Sequence, residues 1–202
     1  MVDARRFAPA SHRNRDAILA VLARFVPDGA DVLEIASGSG EHATFFAERL
    51  RVASWQPTDP DGPSRASIDA WTGHLAAERV RPALPLDVTQ LPWPVTRADV
   101  IVNINMIHIA PWSVCLALLD GAAEVLTPGG VLYLYGPFRR GGAHTAPSNA
   151  AFDESLRSRD PAWGVRDLEA LTAAAEARHS RLEEVIEMPA NNLSVVLRRP
   201  LP

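Results

Sequence analysis

Short apolar runs and helical stripes alternate along the chain. The run Val32-Leu33-Glu34-Ile35 is nearly continuous and partly β-branched, which predicts a strand buried in a parallel sheet rather than an alternating surface strand. Ala36-Ser37-Gly38-Ser39-Gly40 follows without a bulky side chain. From Glu41, the spacing of Ala43, Phe46, Ala47 and Leu50 predicts a helix. Strand, small-residue turn and helix together are the first unit of a nucleotide-binding α/β sheet. Upstream, Ile18, Val21, Leu22 and Phe25 form one helical stripe that Ser11 can cap, ended by Pro27-Asp28-Gly29, and residues 1–10 read as an irregular arm. Downstream, strands are predicted at 52–59, 79–86, 100–102 and 131–135, the second of these interrupted by Pro82 and Pro85. Helices are predicted from Ser64 (with Ile68, Trp71 and Leu75) and over 112–126, with Pro111 near its start. Asp167 can cap a last helix through Arg178, and 182–188 with 193–197 forms a closing pair of strands. With no internal repeat or second boundary, residues 1–202 read as a single domain, 1–26 being an arm and helix.

Composition narrows the class. A chain of 202 residues with 47% hydrophobic and 22% charged residues can bury one sizeable core. A net charge of −4 argues against a general nucleic-acid binder, which carries a basic excess. The single cysteine, Cys115, leaves no internal disulfide and no Cys-cluster metal site, and no metal is expected; it reads as a small buried hydrophobe. The N-terminus lacks the apolar core of a signal peptide and no apolar run is long enough for a bilayer, so neither membrane nor export is expected and the cytoplasm is.

The loop's ligand is decided by charge. Gly38, Gly40 and Ala43 also fit the Gly-x-Gly-x-x-Gly/Ala pattern of dinucleotide enzymes. A carboxylate at Glu34, four residues before Gly38, would repel a pyrophosphate but suits a cationic amino group such as that of S-adenosylmethionine. The stretch resembles motif I of class I methyltransferases, acid-x-Gly-x-Gly-x-Gly, with the first glycine replaced by Ala36. Glu34, Ala36, Ser37, Gly38 and Gly40 are thus candidates for the methionine end. Asp59, 25 residues after Glu34 at a strand end, can accept two ribose hydroxyls, or is a turn aspartate in Asp-Pro-Asp-Gly. In class I methyltransferases an acid after the third strand bonds the adenine amino group and the next N–H a ring nitrogen. Asp87 and Val88 fit that, or Asp87 caps a turn. Trp93 reads as packing.

Asn103 and Asn105 interrupt an apolar run and need partners if buried. They sit where the fourth strand ends beside the cofactor loop. His108, one turn later, is either a satisfied core histidine or a base facing the transfer site, with Tyr135 and His144 as alternatives on the same rim. Arg13 and Asn14 belong to a solvated helix start or fold over the cofactor. The connection 136–166 is too long to be simple and contains one short predicted helix around 152–156. Its aromatic Phe138 and Trp163 beside polar Arg139, His144, Thr145, Ser148 and Asn149 suit the lining of a small-molecule pocket, so it reads as a substrate lid, or as a plain cover of the sheet edge.

Several segments are similar to the methyltransferase-like protein 26 family: Ala8-Pro9-Ala10 with Arg13-Asn14, Glu34 to Gly38, Asn105-Met106-Ile107-His108-Ile109-Ala110-Pro111-Trp112, Gly136-Pro137-Phe138, Thr145-Ala146-Pro147-Ser148-Asn149 and Met188-Pro189-Ala190-Asn191-Asn192. That resemblance implies a single-domain, Rossmann-like class I methyltransferase fold, with a seven-stranded, mostly parallel sheet and a C-terminal antiparallel hairpin. It also implies an S-adenosyl-L-methionine site, but no particular substrate. The expected activity is methyl transfer to a small molecule, with a general base needed only if the acceptor arrives protonated. A protein methyltransferase and a non-catalytic binding module are the alternatives. A dinucleotide dehydrogenase is disfavoured by Glu34.

Overall fold

The computed structural model describes residues 3–75 and 77–202; the first two residues of the expected arm lie outside them. Helix α1 (Pro9–Phe25) begins earlier than Ser11. Pro9 takes the first helical position, where its missing N–H costs nothing. Ser11 therefore lies inside the first turn and caps nothing, and the preceding Ala8 N–H is bound 2.6 Å from the Glu41 carboxylate.

Strand β1 (Asp31–Ile35) leads through the glycine loop into α2 (Glu41–Arg49). Then come β2 (Ser54–Pro57), α3 (Gly62–Leu75), β3 (Ala98–Ile104), α4 (Trp112–Val125) and β4 (Leu126–Gly136). The lid region holds β5 (Phe138–Arg140), β6 (Ala143–His144), α5 (Pro147–Arg159) and β7 (Arg166–Asp167), and the chain closes with α6 (Leu168–Glu176), β8 (Arg181–Met188) and β9 (Asn192–Arg198). The main sheet runs β2-β1-β3-β4-β9-β8. Its first four strands are mutually parallel, and β9 and β8 form an antiparallel edge. This is an α/β, Rossmann-like methyltransferase fold with six strands in its sheet, not seven. The strand expected at 79–86 is reduced to two isolated parallel bridges, Trp55 with Val80 and Thr58 with Leu84. Pro82 and Pro85 cannot donate, so no ladder forms between or beyond them.

Strand alternation divides the core in two. Leu33, Ile101, Leu132 and Val195 pack against α4 and α6 with Cys115, which is fully buried. Val32, Val102, Tyr133 and Val196 pack on the other face with Ile18, Leu22, Phe46 and Trp55. Trp93 does pack: a Cβ on Gly121 of α4 would lie 2.0 Å from its ring. Asp167 caps α6 by accepting the Ala170 N–H.

In the lid, β6-β5-β7 makes a separate small sheet. The helix expected around 152–156 spans 13 residues instead. Its inward stripe is Asn149, Asp153 and Leu156, so apolar periodicity could not reveal its length. No helix among the described residues is long and apolar enough to cross a membrane.

Candidate functional site

From β1 the chain proceeds to β2 on one side and later to β3 on the other. The carboxyl ends of β1 and β3 therefore flank the switch point, where open α/β sheets bind ligands. The loop leaving β1 has Ala36, Gly38 and Gly40 at φ of 56°, 59° and 89°, in the left-handed region. The loop thus keeps a glycine-type backbone at Ala36 although the side chain is present. The two glycines differ. A Cβ on Gly40 would lie 2.6 Å from the Ile68 Cα, because α2 starts directly against α3, whereas the Cβ position of Gly38 has nothing within 4 Å. Gly40 serves packing, and Gly38 leaves an open side.

Two carboxylates converge on this loop. Asp59 accepts the Gly38 N–H at 3.0 Å on one oxygen and the Asp61 N–H at 2.9 Å on the other. Glu34 is buried and accepts the Trp55 indole N–H at 3.0 Å. Burial pushes the Glu34 pKa up to about 7; hydrogen bonds from Trp55 and Ser37 oppose the rise, and the Asp59 charge adds to it. Ser37 is tied to β2 through its N–H on the Thr58 carbonyl (2.8 Å) and its hydroxyl on the Thr58 N–H (3.2 Å).

Asn103 is buried at the end of β3; its amide donates to the Ile35 carbonyl at 3.0 Å, and its Oδ1 has no partner among the described residues. Asn105 turns the chain out of β3 at φ 67° and donates its N–H to the Tyr135 carbonyl at 2.8 Å. Asp87 stands farther out. It is exposed and accepts both the N–H and the hydroxyl of Thr89, at 2.9 and 2.8 Å, which is the turn-capping alternative. With Pro60 and Gln90 it lines a shallow cavity of about 370 Å³, next to Asp59 in sequence, and Val88 beside it is buried.

Tyr135 is buried at the end of β4; burial raises its phenol, with Asn14 of α1 opposing the rise. Asn14 Oδ1 lies 2.9 Å from His42 Nε2. Burial, helped by the Arg15 charge, lowers the His42 pKa to about 4, so the ring is neutral and its Nε2–H donates to Asn14. Arg13, the neighbour of Asn14, is exposed.

His108 does not open on the crevice. It is fully buried, its Nδ1 accepts the Arg166 N–H at 3.2 Å, and Phe138 packs edge-on at 4.9 Å. Burial and the Arg166 charge drive its pKa down to about 3. The ring lies under β4, where a Cβ on Gly136 would be 2.3 Å from Nε2. It is a neutral core histidine, the second of its two sequence readings.

In the lid, Phe138 is fully buried, while Trp163 is half-buried beneath the Arg159 guanidinium at 5.6 Å. Asn149 is buried too and donates to Thr145 Oγ1 at 3.1 Å and to the Asn191 carbonyl at 2.8 Å. It joins the lid to the β8–β9 turn. Arg139 and His144 are directly opposite each other on β5 and β6.

Residues 5–199 match a single family description. The chain belongs to the family described as "Protein of unknown function (DUF938)". Its fold is shared with solved methyltransferases. S-adenosylmethionine-dependent methyltransferase SibL in its apo form superposes with a TM-score of 0.78 at 19% identity, over 95% of this chain and 56% of SibL. The mitomycin 7-O-methyltransferase MmcR does so with 0.75 at 16%, over 91% of this chain and 53% of MmcR. YcgJ from Bacillus subtilis gives 0.74 at 15%, over 95% of this chain and 100% of YcgJ. The chain thus spans about half the length of the first two and all of the third.

Three residues around the glycine loop escaped the sequence reading. Glu41 accepts both the Ala8 N–H (2.6 Å) and the Ser39 hydroxyl (3.0 Å). Ser67 accepts the Arg6 N–H and donates to the Ser39 carbonyl, each at 2.8 Å. Together they stitch the N-terminal arm to the loop. His42 was findable, since it falls four residues before Phe46 and stacks on it.

Proposed function

We propose that this protein is an S-adenosylmethionine-dependent methyltransferase acting on a small-molecule acceptor. Kinship with methyltransferase-like protein 26 is part of that reading. The observation that carries it is the pair of buried carboxylates, Glu34 and Asp59, on a glycine loop whose open side is Gly38. The donor set fits the cofactor. A buried carboxylate raised to about 7 gains from a neighbouring ammonium. Each Asp59 oxygen holds one backbone N–H and keeps lone pairs for the ribose hydroxyls. Asp87 and Val88 are placed to meet the adenine end across the cavity they share with Pro60. When bound, the cofactor supplies a methyl group on a sulfonium.

The chain's own work is then to align and to exclude water. Tyr135, held protonated by burial, offers a donor at the rim rather than a base. Asn103, with its unpartnered Oδ1, and Asn105 line the strand end beside it. The lid supports a small acceptor, because folded structure covers the end of β4 where a polymer would otherwise lie.

Calorimetry with S-adenosylhomocysteine tests the cofactor assignment. Asp59→Ala should weaken binding by roughly 1.5–3 kcal/mol, the worth of hydrogen bonds to a charged group. Gly38→Val should abolish binding in a folded protein. Wild-type protein that does not bind at all sinks the reading. Metabolite extract incubated with methyl-labelled cofactor then separates an enzyme from a binding module, and a labelled protein rather than a small molecule would point to the protein methyltransferase.

A further inference from the structure

Five arginines and three acids fall within 136–166, in a chain whose net charge is −4. Four of those arginines are accounted for. Arg157 holds Asp153 at 3.0 Å, Arg159 donates to the Ser155 carbonyl at 3.3 Å, and Arg166 spends its guanidinium on the carbonyls of Ile107, Ala110 and Ala162. Arg140 is exposed to water. Arg139 is different: its Nε is buried, yet its guanidinium has no hydrogen bond or ion pair among the described residues. Directly across the strand pair, His144 has the same feature, a buried Nδ1 with no partner. Facing residues of an antiparallel pair point to one side, with Cβ atoms about 5 Å apart. The other edge of the His144 ring is occupied, its Nε2 lying 3.4 Å from Asp153, whose oxygens are themselves held by the Val165 N–H and Arg157.

The direction of this pair is set by alternation. Phe138 is buried in the core beside α4 and α6, whereas Tyr135 belongs to the opposite core, so Arg139 falls on the Tyr135 side of the strand. It is three residues past Gly136, within about 10 Å of the end of β4. A cation and an imidazole, both half-exposed and both lacking a partner, thus stand at small-molecule distance from the expected transfer site.

We propose that Arg139 and His144 form an oxyanion-binding subsite, and that the methyl acceptor is a small molecule carrying a carboxylate or phosphate group at the end opposite its reactive atom. The guanidinium fork suits a bidentate contact to such a group, and a lysine ammonium does not reproduce it. The role as acceptor site rests on the methyltransferase reading; the anion binding itself does not.

The test uses benzoate, phenyl phosphate and neutral benzamide as probes, titrated calorimetrically into the full-length protein with and without S-adenosylhomocysteine. Benzoate or phenyl phosphate should bind and benzamide should not, and whichever anion binds more tightly names the source chemistry. Arg139→Gln should weaken anion binding at least tenfold, Arg139→Lys by nearly as much, and His144→Gln by less, with S-adenosylhomocysteine affinity and the unfolding midpoint unchanged. Benzamide binding as well as benzoate, an unaltered anion affinity in Arg139→Gln, or no anion binding at millimolar concentration overturns the proposal. So does a fall in the midpoint that accompanies the lost binding, which would make Arg139 structural. Anion binding that survives while S-adenosylhomocysteine fails to bind would instead sink the methyltransferase reading.

Discussion

Glu34 and His108 belong to adjacent strand ends of one sheet edge, and both are buried and uncharged near neutral pH, yet their surroundings are opposite. Glu34 is left beside another carboxylate, Asp59, with an indole N–H as its neutral partner. His108 is finished within the chain: its ring accepts the Arg166 N–H and its carbonyl accepts the Gly164 N–H at 2.9 Å. The first region is built to be completed by a positive ligand. The second is already completed by the lid. A buried titratable group at a sheet edge therefore says little about chemistry until its partners are named.

The sharpest way to break this contrast lies in the glycines of the first region. Gly40→Val should destabilise the fold by about 4 kcal/mol or more, because the new Cβ meets Ile68 at 2.6 Å on a left-handed backbone. Gly38→Ala should cost only roughly 1–2 kcal/mol of left-handed strain, since nothing lies within 4 Å. Urea melts of the two variants check this, and equal losses would erase the distinction between packing and open glycine.

Opposed pH slopes come next. Glu34 has a folded pKa of about 7 against 4.5 unfolded, so its contribution to stability is most favourable below pH 4.5 and is lost as pH rises to about 7. The loss is of order 3 kcal/mol, and Glu34→Gln should remove it from the cofactor-free protein. His108 behaves inversely. Its folded pKa of about 3 lies below 6.5, so its contribution is full above pH 6.5 and falls as the unfolded chain takes up a proton on acidification. His108→Gln should flatten that acid limb. Unfolding free energies at pH 5 and pH 8 for both variants give the two signs, and matching signs would end the comparison.

The smallest effect is expected at the lid's join. Asn149→Ala removes hydrogen bonds to Thr145 and to the Asn191 carbonyl, at a cost of about 1–2 kcal/mol. Hydrogen exchange should then quicken at 147–159 and at 189–192 together while the glycine loop stays protected.

The first region was readable because its parts are contiguous. Ten residues carry the strand, the acid, the glycines and the helix start, and the α/β class follows from them. The second region was not, because its parts are distant. The hydrogen bond that makes His108 a core residue comes from Arg166, 58 positions away, and that of Asn149 to the β8–β9 turn spans 42. The polar stripe of α5 hid a 13-residue helix. At 79–86 the prolines were visible, but how far they would reduce a strand depended on which N–H groups β2 required.

The indole of Trp55 adds an optical property to the Glu34 pocket. It is fully buried and hydrogen-bonded to the one carboxylate whose charge a bound ammonium would change. Indole emission responds to the field of a nearby charge, so the molecule carries an intrinsic reporter of its own ionisation state. Among the five tryptophans, Trp55 is the one whose fluorescence should follow both acid titration through about pH 7 and cofactor occupancy, without any label attached.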